Sequence, residues 1–237
     1  MPSTLKLIKN KKLATDVAYS TDPFGDGSLY ALYKMNEVDG DANDLVDTMG
    51  GPTMDKYNAI SAPSAIPGGV RGKHFGRRGY ATDGVYAKQV MTISFWHSMD
   101  RDNREGMLGF GNHFEGYPTA GAYLFFHGYF NTYKLYASDG TTLFTHSQAI
   151  PADSVYRNVV IIAGGTYVKL YIDSVLQTTL NVTYKTLTAQ RLYINYDHKY
   201  DTGNAQTDEQ GTFDHLQIFD RVLNQREIDV LYNQTVS

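Results

Sequence analysis

Apolar and polar side chains alternate with a period of two along much of this chain. In "YVKLYID", Val168, Leu170 and Ile172 fall on one face and Tyr167, Lys169 and Tyr171 on the other, the pattern of a half-buried strand. "LYALYK", "MTISFWHS", "AYLFFH", "YKLYAS", "TLFTHS", "NVVIIAG", "RLYIN" and "FDHLQIFD" read similarly. Gly, Asn, Asp and Pro punctuate them at the spacing of an antiparallel sandwich or barrel. Asp173-Ser174 predicts the two-residue turn of a hairpin joining "YVKLYI" to "VLQTTL". The best helix signal is "NQREIDVLYN", where Asn224 can cap and Glu227, three residues on, completes a capping box. Ile228, Leu231 and Tyr232 would form its buried stripe. The pattern therefore predicts one all-β domain over residues 23–237. Residues 1–22 are polar, basic and poor in core material, and are expected to form an arm on a neighbouring subunit or a leader laid on the surface.

Composition changes this picture in only a few places. A chain of 237 residues buries roughly 70% of its extended surface, enough for an ordinary core. Cysteine is absent, which excludes disulfides, thiolate metal sites and a cysteine nucleophile. The start "MPSTLKLIKNKK" has basic residues but no following apolar stretch, so no secretory signal is expected. No apolar run reaches the ~18 residues of a membrane span, so no membrane partner is expected. The net charge is −4 with scattered basic residues, which argues against a nucleic-acid face. Nineteen tyrosines stand against one tryptophan. Tyrosine suits half-buried pleated surfaces and flat amphipathic ligand contacts alike.

The order of motifs resembles a known family. "DPFGDGSLYALYKMNEVDGDANDLVD" is similar to the opening of laminin G-like, concanavalin A-like jelly-roll domains of the bacterial and phage type. "MTISFWHS" resembles that family's "FTISFWV" strand, and "VKLYIDSVLQTTL" its "LKLYVDGVLVAT" hairpin, with Ser174 replacing the usual turn glycine. "GTFDHLQIFDRVLNQREIDVLYN" resembles its closing strand and short helix. The resemblance spans about residues 22–233. It implies a sandwich of two antiparallel sheets with a short C-terminal helix, in a family that mostly binds sugars or serves as a structural module.

Three kinds of chemistry deserve testing against the residues. "EVDGDANDLVDTMGG" offers Asp39, Asp41 and Asn43 at the first, third and fifth positions of an EF-hand loop. Its sixth position is Asp44 rather than Gly and its twelfth is Gly50 rather than Glu, so it is not an EF-hand. The resemblance implies another geometry, in which this loop and Asp214 of the closing strand share one structural Ca²⁺. The alternative is that Asp44 and Asp47 cap turns and the other side chains are solvated. A glycosidase needs two carboxylates about 5–10 Å apart. Glucanases of similar architecture carry "ExDxxE" on a strand, whereas "EIDVLY" here lacks the second Glu and falls on the predicted helix. No HExxH, phosphate-binding glycine loop or GxSxG elbow occurs. No catalytic residue is assigned, and the protein is expected not to be an enzyme.

Sugar binding by such sandwiches relies on exposed rings against the apolar face of a pyranose, with polar groups to fix it. Three segments offer both: "GNHFEGYP" with His113 and Tyr117, "HGYFNTY" with His127, Tyr129 and Tyr133, and "NYDHKYDTGN" with Tyr196, His198 and Tyr200. Trp96, beside Phe95 in mid-strand, reads as packing. The primary expectation is a structural virion protein of a bacteriophage, a capsid decoration or tail or fibre module, whose partners are capsid or tail proteins and surface glycans. A homo-oligomer would suit that role. The alternative is a carbohydrate-binding module that recognises a cell-surface polysaccharide, with a glycoside hydrolase a distant third.

Overall fold

The computed structural model describes residues 22–35, 47–51, 59–62, 72–75, 80–81, 90–99, 104–110, 122–129, 131–151, 153–183, 192–194 and 211–234. Fourteen strands and one helix lie among them: β1 (Leu29–Tyr33), β2 (Ala59–Ala62), β3 (Gly72–Phe75), β4 (Tyr80–Ala81), β5 (Val90–Ser98), β6 (Arg104–Phe110), β7 (Ala122–Tyr129), β8 (Thr132–Asp139), β9 (Leu143–Ala149), β10 (Arg157–Gly164), β11 (Val168–Ile172), β12 (Val175–Leu180), β13 (Leu192–Ile194), β14 (Gly211–Phe219) and α1 (Gln225–Tyr232). They form two antiparallel sheets. The eight-stranded sheet runs β12-β11-β10-β5-β14-β3-β2, with β1 joined to β14, and the six-stranded sheet runs β4-β13-β6-β7-β8-β9. Residues 1–21, nearly all of the expected arm, lie outside the described residues.

The inner faces meet in one core. Ile93 and Phe95 of β5, Val159 and Ile161 of β10, Leu170 of β11 and Phe213 of β14 pack against Phe110, Phe126 and Leu135 of the other sheet. Each such side chain contributes about 1.5–3 kcal/mol on burial. The alternation therefore does what period two requires. On β5, however, eight of nine residues are buried, not every second one. The reason lies outside the strand: a second apolar cluster covers the outer face of the eight-stranded sheet. Val160, Ile162, Tyr171 and Phe219 of the sheet meet Ile228 and Leu231 of α1, with Leu29, Leu32 and Leu223 between them.

The helix forms as its sequence predicts. The Asn224 side chain accepts from the backbone of Arg226 and Glu227, and Glu227 returns a bond to the Asn224 amide. Tyr232 departs from the predicted stripe. It is 38% exposed, and its ring stacks on Trp96 at 6.0 Å, so it shields the tryptophan instead of entering the core. Trp96 is packing, as its mid-strand position implies.

The opening turn and the turn after β14 are clasped together beside this helix. The Asp22 carboxylate accepts from the amides of Phe24, Asp26 and Gly27, folding the opening segment into a turn. Phe24 then packs on Phe219 at 5.3 Å, and the Arg221 guanidinium lies 5.2 Å over its ring. Arg221 also donates twice to Glu227 and pairs with Asp26 at 2.7 Å. The "DPFGDGS" opening is thus a fold-closing device. Asp47 works similarly in the next turn, accepting from the amides of Leu32, Met49 and Gly51. Its role is the turn cap weighed against calcium in the sequence.

Candidate functional site

The two outer faces differ. That of the eight-stranded sheet is covered by α1 and the opening turn over β10, β11 and β14. That of the six-stranded sheet opens to solvent along β8 and β9. Tyr133, Leu135 and Ala137 of β8 point into the core, and Thr132, Lys134 and Tyr136, one residue out of phase, are partly exposed. On β9 the exposed partners are Thr145, Ser147 and Ala149. Register places Tyr136 opposite Thr145, Lys134 opposite Ser147, and His127 of β7 on the other side of Lys134. Lys134 and Tyr136 are two residues apart on one strand, so about 6.8 Å separates their backbones. The face therefore combines an aromatic ring, an ammonium and two hydroxyls in adjacent positions, with the His127 Nε2 buried beside them. That set can stack a sugar ring and hydrogen-bond its hydroxyls.

Of these residues the sequence pointed only to His127. Tyr133 was expected to meet sugar, but it is fully buried, so that reading is corrected. Its hydroxyl bonds His97 across the core. The physical reason is the length of the connection: "HGYFNTY" is not a recognition loop. β7 runs to Tyr129 and β8 begins at Thr132, and Asn131 takes a left-handed φ of 56° between them. A tight hairpin continues the alternation and turns Tyr133 inward. Tyr129 ends β7 opposite Arg104 of β6. His113, Tyr117, Tyr196, His198 and Tyr200 lie outside the described residues, as do Asp39, Asp41 and Asn43. Lys134 and Tyr136 were legible as outward positions of "TYKLYASD", but the alternation alone does not tell which face of a sheet stays uncovered.

Asp214 lies on β14 opposite Trp96 and is 2% exposed. Burial first, and the Asp214 carboxylate next, hold the Tyr156 phenol well above its ordinary range. The strand leading toward Asp39 ends beside it: Tyr33 of β1 pairs with Leu216, two residues from Asp214. Among the described residues no group of three or more His, Cys, Asp or Glu could hold a metal ion.

The carboxylates of "EIDVLY" are occupied by the fold. Hydrogen bonds from Arg221 to Glu227, and from Ser174 to Asp229, hold both below the ordinary carboxylate range. A glycosidase acid needs the opposite shift, so that it keeps a proton to give.

A family model described as the concanavalin A-like lectin/glucanases superfamily matches residues 77–229. No curated protein sequence matches the chain. Among solved structures, domain 4 of AbnA, an extracellular arabinanase from Geobacillus stearothermophilus in complex with arabinotriose, is 14% identical, with 86% of this chain and 98% of that one covered and a TM-score of 0.64. The ligand-binding domain of botulinum neurotoxin serotype D in complex with N-acetylneuraminic acid is 14% identical, with 86% and 50% covered and a TM-score of 0.59. Trypanosoma rangeli sialidase is 17% identical, with 86% and 32% covered and a TM-score of 0.62. The chain spans about half the length of the toxin binding domains it matches. At these identities the likeness is one of fold, which is lectin-like and shared mainly with binding domains of toxins and enzymes. The matched family model, the two antiparallel sheets and the short closing helix agree: the chain belongs to the concanavalin A-like lectin/glucanase superfamily, as a laminin G-like jelly-roll domain.

Proposed function

We propose that the protein is a non-catalytic glycan-binding module whose ligand lies on the outer face of the six-stranded sheet. The observation that carries this reading is the row Lys134–Tyr136 on β8, partly exposed and set against the exposed hydroxyls of Thr145 and Ser147. Two relatives in fold, the arabinanase domain and the toxin domain, hold an oligosaccharide and a sialic acid, which supports a sugar as the ligand class. The test is a glycan array followed by calorimetry, with and without calcium. Failure to find any sugar in either condition removes the reading.

Calcium is a second part of the proposal. Asp214 fits the closing-strand ligand: it is a buried carboxylate beside the end of β1, and β1 leads toward Asp39, Asp41 and Asn43. A hard cation held there would tie that segment to β14 through oxygen ligands.

Placement on a bacteriophage capsid or tail, as a decoration or fibre module, rests on the resemblance of the opening segment. On a particle the same face would present to surface sugars. Purified protein should then add to capsids or tails that lack it, and failure to add removes the virion role.

A further inference from the structure

His97 sits near the end of β5 and is fully buried. Its Nδ1 lies 3.0 Å from the hydroxyl of Tyr133, which belongs to β8 of the opposite sheet. The same hydroxyl donates to the His97 carbonyl at 3.2 Å. A phenol has one hydrogen to give. With that hydrogen committed to the carbonyl, Nδ1 carries the imidazole proton and donates to Tyr133, which leaves Nε2 as a bare lone pair. Nε2 is buried, and no described residue bonds to it. The rings of Phe126, Tyr133 and Phe213 surround the imidazole at 5.7, 5.4 and 4.6 Å.

A proton added at Nε2 would place an N–H⁺ among aromatic rings, with no acceptor among the described residues. Around His97 lie Tyr133 from β8 and Arg157 opposite it on β10, His127 of β7 acts on it by charge, and Phe213 is its partner on β14. The Arg157 guanidinium turns to Asp153 and Asp173, at 2.8 and 3.7 Å. None of these named groups is a carboxylate that would stabilise an imidazolium. Burial, and then His127, hold the His97 base down at about 3.

We propose that the His97–Tyr133 pair is an acid-sensitive strut between the sheets, which holds β8 and its exposed Lys134–Tyr136 face in place only while the imidazole is neutral. Tyr133 is the inward neighbour of Lys134, so a strut that releases Tyr133 loosens the strand that carries the face. Any opening that admits water to His97 returns its proton affinity toward the ordinary value of 6.5. Below that pH, each further unit favours the opened form by up to roughly tenfold. The effect on ligand affinity rests on the proposed glycan face; the strut itself does not.

Hydrogen exchange of the full chain between pH 6 and pH 4, corrected for the intrinsic exchange rate, tests the strut. The β5 and β8 amides should lose protection by roughly tenfold per pH unit. His97→Gln retains an amide donor for Tyr133 without a titrating group, and should remove that slope at these amides. His215, also buried, keeps its own contribution in the variant. Because the variant could misfold, the His97 imidazole is also followed by NMR in the wild type. It should stay neutral down to about pH 4 while the native spectrum persists. Protection independent of pH, or an imidazole titrating near 6.5 in the native state, overturns the proposal. Calorimetry with a bound glycan at pH 7 and pH 5 separates the two readings. Weaker binding at pH 5 in the wild type but not in His97→Gln supports the coupling, and unchanged affinity overturns it. A protection slope without any glycan binding keeps the strut and removes the binding face.

Discussion

Ser174 shows how one residue joins two distant elements. It occupies the second turn position of the β11–β12 hairpin at a φ of 67°, after Asp173 at 49°. This left-handed conformation favours glycine and costs other residues roughly 1–2 kcal/mol. The serine hydroxyl compensates by donating to Asp229 of α1, and Gln225 donates to both Ser174 and Asp229. Ser174→Ala keeps the strain and loses the bond, so it should lower the urea midpoint. Ser174→Gly loses the bond but relieves the strain, so it should cost less. Urea unfolding of both variants checks this, and two unchanged midpoints would show that the hairpin–helix tie carries no stability. Tyr133 and Tyr136 make the complementary point about function. They stand three apart in "YKLY", one facing the core and one the solvent, and period two assigns them to opposite faces. It cannot say which face a distant helix will cover, because that depends on packing between residues far apart in sequence.

At the scale of elements, the closing turn, α1 and the opening turn act as one clasp centred on Arg221. Its bonds hold Glu227 below its ordinary value of 4.5. Hydrogen bonding from Ser28, whose backbone amide donates at 3.0 Å, followed by the charge of Arg221, holds Asp26 at about 2. A depressed carboxylate contributes stability that is fully present above its unfolded value and lost as pH falls through its folded one. The clasp should therefore weaken between about pH 4.5 and pH 2. Arg221→Met should flatten stability against pH in that window and cost about 1 kcal/mol at pH 7 through the Glu227 pair. Acid titration of melting temperature for both proteins is the measurement, and an unchanged acid limb would contradict the clasp. The helix itself was legible down to its cap, because capping and amphipathic stripes are local. The hairpin turn was legible for the same reason. "HGYFNTY" misled because Gly128 and Asn131 are turn residues, and only the register of β7 on β8 shows how short the turn is.

For the whole molecule, two buried histidines add to the acid response. His97 and His215 are both held at about 3, first by burial. Their neutral forms contribute fully above pH 6.5, and the contribution declines as pH falls toward 3, by up to about 1.4 kcal/mol per pH unit for each. Stability should thus begin to fall before the carboxylates titrate. The proposed calcium site makes a separate claim at this scale. Saturation at 100 times Kd stabilises by about 2.7 kcal/mol, a rise of roughly 5–10 °C in melting temperature for a domain of this size. Melting in excess Ca²⁺ against EDTA should show it, and Asp214→Asn should abolish it; equal melting in both conditions dismisses the site. The two-layer architecture was readable from alternation and from the closing motif, since both depend on short patterns. Most of the rings expected to meet sugar lie outside the described residues.

The central claim is that a sugar stacks on the open face of the six-stranded sheet. It is tested most directly by calorimetric titration of an array-identified glycan into the wild type and Tyr136→Ala, with matched melting curves as a control. The account predicts that the variant keeps its fold and binds at least tenfold more weakly, about 1.4 kcal/mol. Equal affinity in the two proteins would contradict it.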